Sequence, residues 1–131
     1  MTVDLNKLRG FHQAFNDANG ALRAAWERYS EARTVRRRAM DEFSKFTHVS
    51  SLDPDDVLKA AEKAALGSGR EPKEAKKADA GKALLEAQKP FQKAEEEVHR
   101  LQQQSNHAGR IWTRCRDYAR EQGVLPADME H

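Results

Sequence analysis

Residues spaced alternately three and four apart are apolar along two long stretches of the chain. The first set runs Leu8, Phe11, Phe15, Ala18, Leu22, Ala25, Tyr29, Ala32, Arg36, Ala39, Phe43 and Phe46, broken only at Arg36. The second runs Ala80, Leu84, Ala87, Phe91, Ala94, Val98, Leu101, Ser105, Ala108, Trp112, Cys115 and Ala119, broken only at Ser105. A 3.5-residue repeat held this long keeps one stripe of a helix turned toward a partner helix, so the pattern predicts two long packed helices.

Helix-breaking and capping residues set the expected bounds. A first helix over residues 3–47 opens at Thr2 or Asp4, either of which can cap free backbone N–H groups. Gly10 and Gly20 weaken it without interrupting the repeat. A turn follows at residues 48–53, where Ser50, Ser51 and Asp53 compete for backbone hydrogen bonds. Asp53 caps a short helix over 54–66, with Pro54 at its first position and Asp55 and Asp56 at its positive dipole end. Its apolar face is Val57, Leu58, Ala61 and Ala65. A linker over 67–71, begun by Gly67, Ser68 and Gly69, leads to a long helix over 72–122. That helix is expected to fray over 73–80, which lack a large apolar side chain, and to kink near Pro90, where the bond to the Glu86 carbonyl is lost. Gly123 and Pro126 end it, leaving a loosely held tail over 123–131.

These elements predict a single all-α domain over residues 1–131, an antiparallel helical hairpin of coiled-coil-like character with a short connecting helix. The register places Phe43 and Phe46 near Leu84 and Ala80, Leu22 near Leu101, and Leu8 near Cys115. Trp26, Val35, Met40, Ile111 and Tyr118 flank the seam and widen the apolar stripe beyond what two helices cover. The short helix shields only part of such a flank. The remainder predicts a protein interface, completed most simply by oligomerisation into a larger bundle.

Composition supports helix. Twenty residues are Ala, against one Ile, six Val and four Thr, which favours helix over sheet. Charged residues make up 34% of the chain, yet the net charge is only +2, so no global field directs it to nucleic acid or to an anionic membrane. Cys115 stands alone, so no intrachain disulfide forms. With no signal-like or membrane-spanning apolar run, a reducing cytoplasm is the expected setting. The Ala- and Arg-rich composition suits a bacterial or phage origin.

Candidate chemistry is sparse. Arg33, Arg36, Arg37 and Arg38 form a basic collar around a helix, because consecutive residues fan out at about 100° each. Ordinary surface pairing, such as Arg37 with Asp41, accounts for it first, and nucleic-acid contact is the alternative. Arg36 also falls on the seam, where it either meets Glu86 or Gln88 or snorkels to solvent along its stem, the second being favoured. His12, His107 and Asp17 could approach one another, but no metal-ligand spacing supports a site, and surface His is the expectation. Cys115 is expected to be a small buried hydrophobe, with Arg114 and Arg116 pointing to other faces. The acidic run Glu95, Glu96 and Glu97 fans around the helix and converges on nothing. No cofactor is implied.

The sequence therefore predicts a non-enzymatic protein–protein interaction or assembly module, acting as a complex component, chaperone or inhibitor. Its partner is a protein, including a second copy of itself. A nucleic-acid-associated helical protein using the collar is the alternative.

Overall fold

The computed structural model describes residues 3–46, 53–67 and 72–130. They form three α-helices, α1 (Leu5–Ser44), α2 (Pro54–Leu66) and α3 (Pro72–Glu121), and one 3₁₀ turn, Ala127–Met129. No strand occurs among the described residues. Helices α1 and α3 pack against each other as a helical hairpin. Thr2, Thr47, residues 48–52 of the turn expected at 48–53, the linker residues 68–71, and His131 lie outside the described residues.

Local chemistry explains each helix end. Of the two N-cap candidates for α1, Asp4 is seen capping: its Oδ1 accepts from the backbone N–H of Asn6 at 3.0 Å and of Lys7 at 3.3 Å. The helix stops at Ser44, short of residue 47, as the N–H groups of Lys45 and Phe46 turn to the carbonyls of Glu42 and Phe43. Asp53 caps α2 by accepting from Asp55 N–H at 3.0 Å, and Pro54 occupies the first helical position. Helix α3 continues through Pro90 without a break. It ends in a Schellman motif: Gly123 adopts φ 72°, Val124 N–H donates to the Ala119 carbonyl, and Gly123 N–H donates to that of Arg120.

The chain divides into two compact units: Met1–Trp26 together with Glu96–His131, and Glu27–Glu95. Each contains part of α1 and part of α3. The first unit has a core of Leu8, Trp112, Ala119 and Met129, with Val3, Phe15, Cys115 and Leu125 packed against it. Met129 belongs to the tail expected to be loose. It is buried because the Schellman turn folds the chain back onto the helix pair, and an exposed ion pair from Arg9 Nη1 to Asp128 Oδ2 at 3.1 Å lies beside it. The apolar contact dominates, since exposed pairs contribute little.

Within this unit the seam is polar at one point. Ser105 is only 5% exposed, and its hydroxyl donates to Asn19 Oδ1 across the pair at 2.6 Å. Asn19 opposite Ser105, and Phe15 opposite Gly109, fix an antiparallel direction. Leu8 shares its core cluster with Cys115, in the expected register.

The second unit buries Phe43, Val57, Ala61, Ala80 and Leu84. Here α2 lies very close to α3. A Cβ built on Gly81 would stand 2.8 Å from the Ala61 carbonyl oxygen and 3.4 Å from the Ala64 Cβ. The absence of large side chains over 73–80, read from the sequence as a cause of fraying, therefore serves contact: Ala78, Ala80 and Gly81 are buried.

Two glycines should respond in opposite ways. Gly20 has open space around its missing side chain, so Gly20→Ala is expected to stabilise by about 1 kcal/mol through helix propensity. Gly81→Ala gains the same propensity but drives a methyl into the α2 backbone, at a cost of about 1–3 kcal/mol for overpacking. Net destabilisation is expected, read as a lowered midpoint in denaturant unfolding. Equal stabilisation by both changes would contradict the close approach of α2.

Candidate functional site

In the first unit, the start of α1 and the end of α3 enclose an apolar cleft of about 390 Å³. Leu8, 2% exposed, and half-buried Cys115 line it together with Val3. Two aromatic side chains also line it and reach solvent: Phe11 on α1, 36% exposed, and Tyr118 on α3, 40% exposed. Lys7 and Arg114 bring one cation from each helix, and Asp4 completes the lining. The Asp4 carboxylate is engaged in capping α1. The side chains of Lys7 and Arg114 form no ion pair among the described residues.

Phe11 is at the cleft because His12 holds its place in the seam. The His12 ring packs on Trp112 with centroids 4.6 Å apart and planes tilted by 41°, a contact of ordinary aromatic geometry. Trp112 is almost completely buried, and the His12 ring covers part of it. With His12 in that position, Phe11 is turned about 100° away on the helix, toward Tyr118. His12 is thus a half-buried packing residue and not a surface histidine. Among the described residues, no group of three or more His, Cys, Asp or Glu side chains comes together as a metal site would require.

The other predicted interface residues are divided. Tyr118 lines the cleft. Ile111, two turns earlier on α3, is half-buried, and Trp26 is 47% exposed on α1. With Asn19 opposite Ser105, Trp26 and Ile111 lie about 20 Å apart along the helix pair at 1.5 Å per residue, so they do not form one patch. In the second unit, Val35 is 54% exposed, whereas Met40 packs against the core of Phe43 and Leu84. Periodicity marks Met40 as a flanking residue; the nearby core claims part of its surface.

The basic collar also separates into distinct environments. Arg33 and Arg37, one turn apart, share a shallow groove of about 270 Å³ with Arg36, Met40 and Asp41, and Arg38 is exposed outside that lining. The expected Arg37–Asp41 ion pair is not formed. Arg36 is held at the seam and does not snorkel away. Its guanidinium carbon sits 3.6 Å from the Phe91 ring centroid, and Nη1 donates to Gln88 Oε1 at 3.4 Å. Phe91 in turn packs on Tyr29 with centroids 5.3 Å apart. The buried Nε of Arg36 has no hydrogen-bond partner among the described residues, so this cation is retained by stacking and one long hydrogen bond. At the end of α1, Lys45 is raised above the ordinary ammonium pKa by its hydrogen bond to, and the charge of, Glu42, but it is exposed.

Sequence periodicity missed the cleft because it assigned Phe11 to the seam. The pairing of Phe11 and Tyr118 becomes visible only once His12 is known to cover Trp112. No known protein family, curated protein or solved structure matches the chain.

Stability measurements separate this arrangement from a seam containing Phe11. Leu8→Ala is expected to cost about 2–5 kcal/mol as a core truncation. Phe11→Ser and Tyr118→Ser should each cost no more than about 1 kcal/mol, as changes at solvent-reaching positions. His12→Ala should cost more than Phe11→Ser. The reverse order for His12 and Phe11 in urea unfolding would place Phe11 back in the seam.

Proposed function

We propose that the protein is a non-enzymatic protein-interaction and assembly module, with a second copy of the chain among its partners. The observation that carries this reading is the set of large apolar side chains still exposed after the three helices have packed, Phe11, Trp26, Val35 and Tyr118 among them. Scattered apolar residues are normal on a surface, but two aromatics over an apolar cleft form the kind of feature that partners cover. The cleft holds one engaged carboxylate, two cations and the Cys115 thiol, with no His beside that thiol in the lining to act as its base, which supports a binding role. Roles as a complex component, a chaperone or an inhibitor all use such a surface, in a bacterial or phage cytoplasm as the composition suggests.

A second reading, nucleic-acid association, draws on the collar. Arg33, Arg37 and Arg38 form no ion pair among the described residues, and Arg33 and Arg37 share one groove. Arg36 is excluded from this role by its stacking on Phe91. The surrounding face has no aromatic interleaving for base stacking, which keeps this reading second. Phosphate contact would weaken steeply with salt and would be lost on changing Arg33, Arg37 and Arg38 to Gln.

Light scattering coupled to size exclusion over a concentration series tests the first reading. The mass is expected to exceed the 14.9 kDa of one chain, to persist at high salt, and to fall toward one chain in Trp26→Ser/Val35→Ser with helicity unchanged. A wild-type monomer at every concentration would overturn self-assembly.

A further inference from the structure

We propose that the cleft of the first unit is a docking site for a short acidic segment of another protein, bearing one large apolar anchor. The inference rests on the reading of this chain as a protein-binding module and names the chemistry of one partner. Three observations carry it. Buried Leu8 and half-buried Cys115 give the cleft an apolar lining, and Phe11 and Tyr118 add exposed rings from opposite helices, the arrangement that accepts a Leu or aromatic side chain. Its volume, about 390 Å³, lies near the lower end of the roughly 300–1,000 Å³ typical of ligand pockets, which suits one or two side chains of a linear segment.

Charge then selects the segment. Lys7 on α1 and Arg114 on α3 both line the cleft, and neither is neutralised by an ion pair among the described residues. Asp4 does not offset them fully, because its carboxylate caps α1 and faces the positive end of that helix. An occupant with carboxylates on both sides of its apolar anchor meets a cation from each helix while the anchor displaces water from the rings. A basic segment would meet two like charges. Because both cations are exposed, their contribution is to selectivity and to association rate, and it is screened by salt.

The test uses the full chain and three fluorescently labelled, end-capped hexapeptides: Glu-Glu-Leu-Phe-Glu-Asp, a neutral version with Gln and Asn in place of the acids, and a basic version with Lys. Fluorescence anisotropy is measured at low and high salt. The acidic peptide should bind at least about tenfold more tightly than the basic one, with the difference shrinking as salt rises. Lys7→Glu/Arg114→Glu should reverse the order of the acidic and basic peptides. Phe11→Ser/Tyr118→Ser should abolish binding of all three, with circular dichroism unchanged. Equal binding of all three peptides to the wild-type chain would overturn the acidic selectivity and leave the protein-binding reading intact. Binding that survives Phe11→Ser/Tyr118→Ser would overturn the cleft as the site. Absence of binding by any peptide would also overturn it, and the assembly reading would then stand or fall on the mass measurement alone.

Discussion

An apolar stripe that repeats every seven residues does not by itself specify how two helices align, because a slip of one heptad presents nearly the same surface. The structure depends on the places where that stripe is interrupted. In the first unit, Ser105 breaks the repeat of α3 and Asn19 of α1 meets it. In the second, Arg36 breaks the repeat of α1 and Gln88 of α3 meets it, with Phe91 beneath the guanidinium. Each interruption is answered by an amide from the opposite helix. A slipped pairing would bury the Ser105 hydroxyl without its acceptor and separate Arg36 from both its partners, so each unit contains a polar contact that opposes misalignment. The two contacts differ in quality: the hydroxyl bond is short, at 2.6 Å, whereas that of Arg36 is long, at 3.4 Å.

Much of the helical arrangement was legible because it rests on local rules. Asp53 followed by Pro54 can hardly be other than a helix start, and Gly123 supplies the left-handed residue that closes α3. The heptad pattern indicated the partnership of α1 with α3 and the pairing of Leu8 with Cys115. Other features depend on information that periodicity lacks. Adjacent positions such as Phe11 and His12 both lie within reach of a seam, and the shape of Trp112 decides which ring enters it. Glycine is ambiguous for the same reason. Gly20 faces open space and Gly81 meets a backbone carbonyl, a distinction set by the placement of α2. The buried tail is a further case, since Met129 has no periodic partner to reveal its docking.

The candidate site follows from these displacements. Once His12 covers Trp112, Phe11 joins Tyr118 at a cleft lined by Leu8, and two cations from different helices share that lining. Of the residues marked by sequence as an interface, Tyr118 lines that cleft, Met40 is partly claimed by a core, and Trp26 and Ile111 are separated along the pair. A widened stripe correctly signals surplus apolar surface, but it cannot say which portions remain exposed after tertiary packing. In the same way, consecutive arginines read as one basic feature divide into Arg36, stacked in the seam, and Arg33, Arg37 and Arg38, which reach solvent. The exposed apolar and basic surface here is what the core leaves unfilled.

The most direct test of the register account is a double-mutant cycle between Asn19 and Ser105, measured by equilibrium denaturant unfolding of Asn19→Ala, Ser105→Ala and the combined variant. If the cross-helix hydrogen bond fixes the alignment, Asn19→Ala strands a buried hydroxyl and Ser105→Ala then relieves that cost. The cycle should give a coupling of about 1 kcal/mol or more. Effects that add to within about 0.5 kcal/mol would contradict the account, because they would mean the two side chains stabilise the helix pair independently.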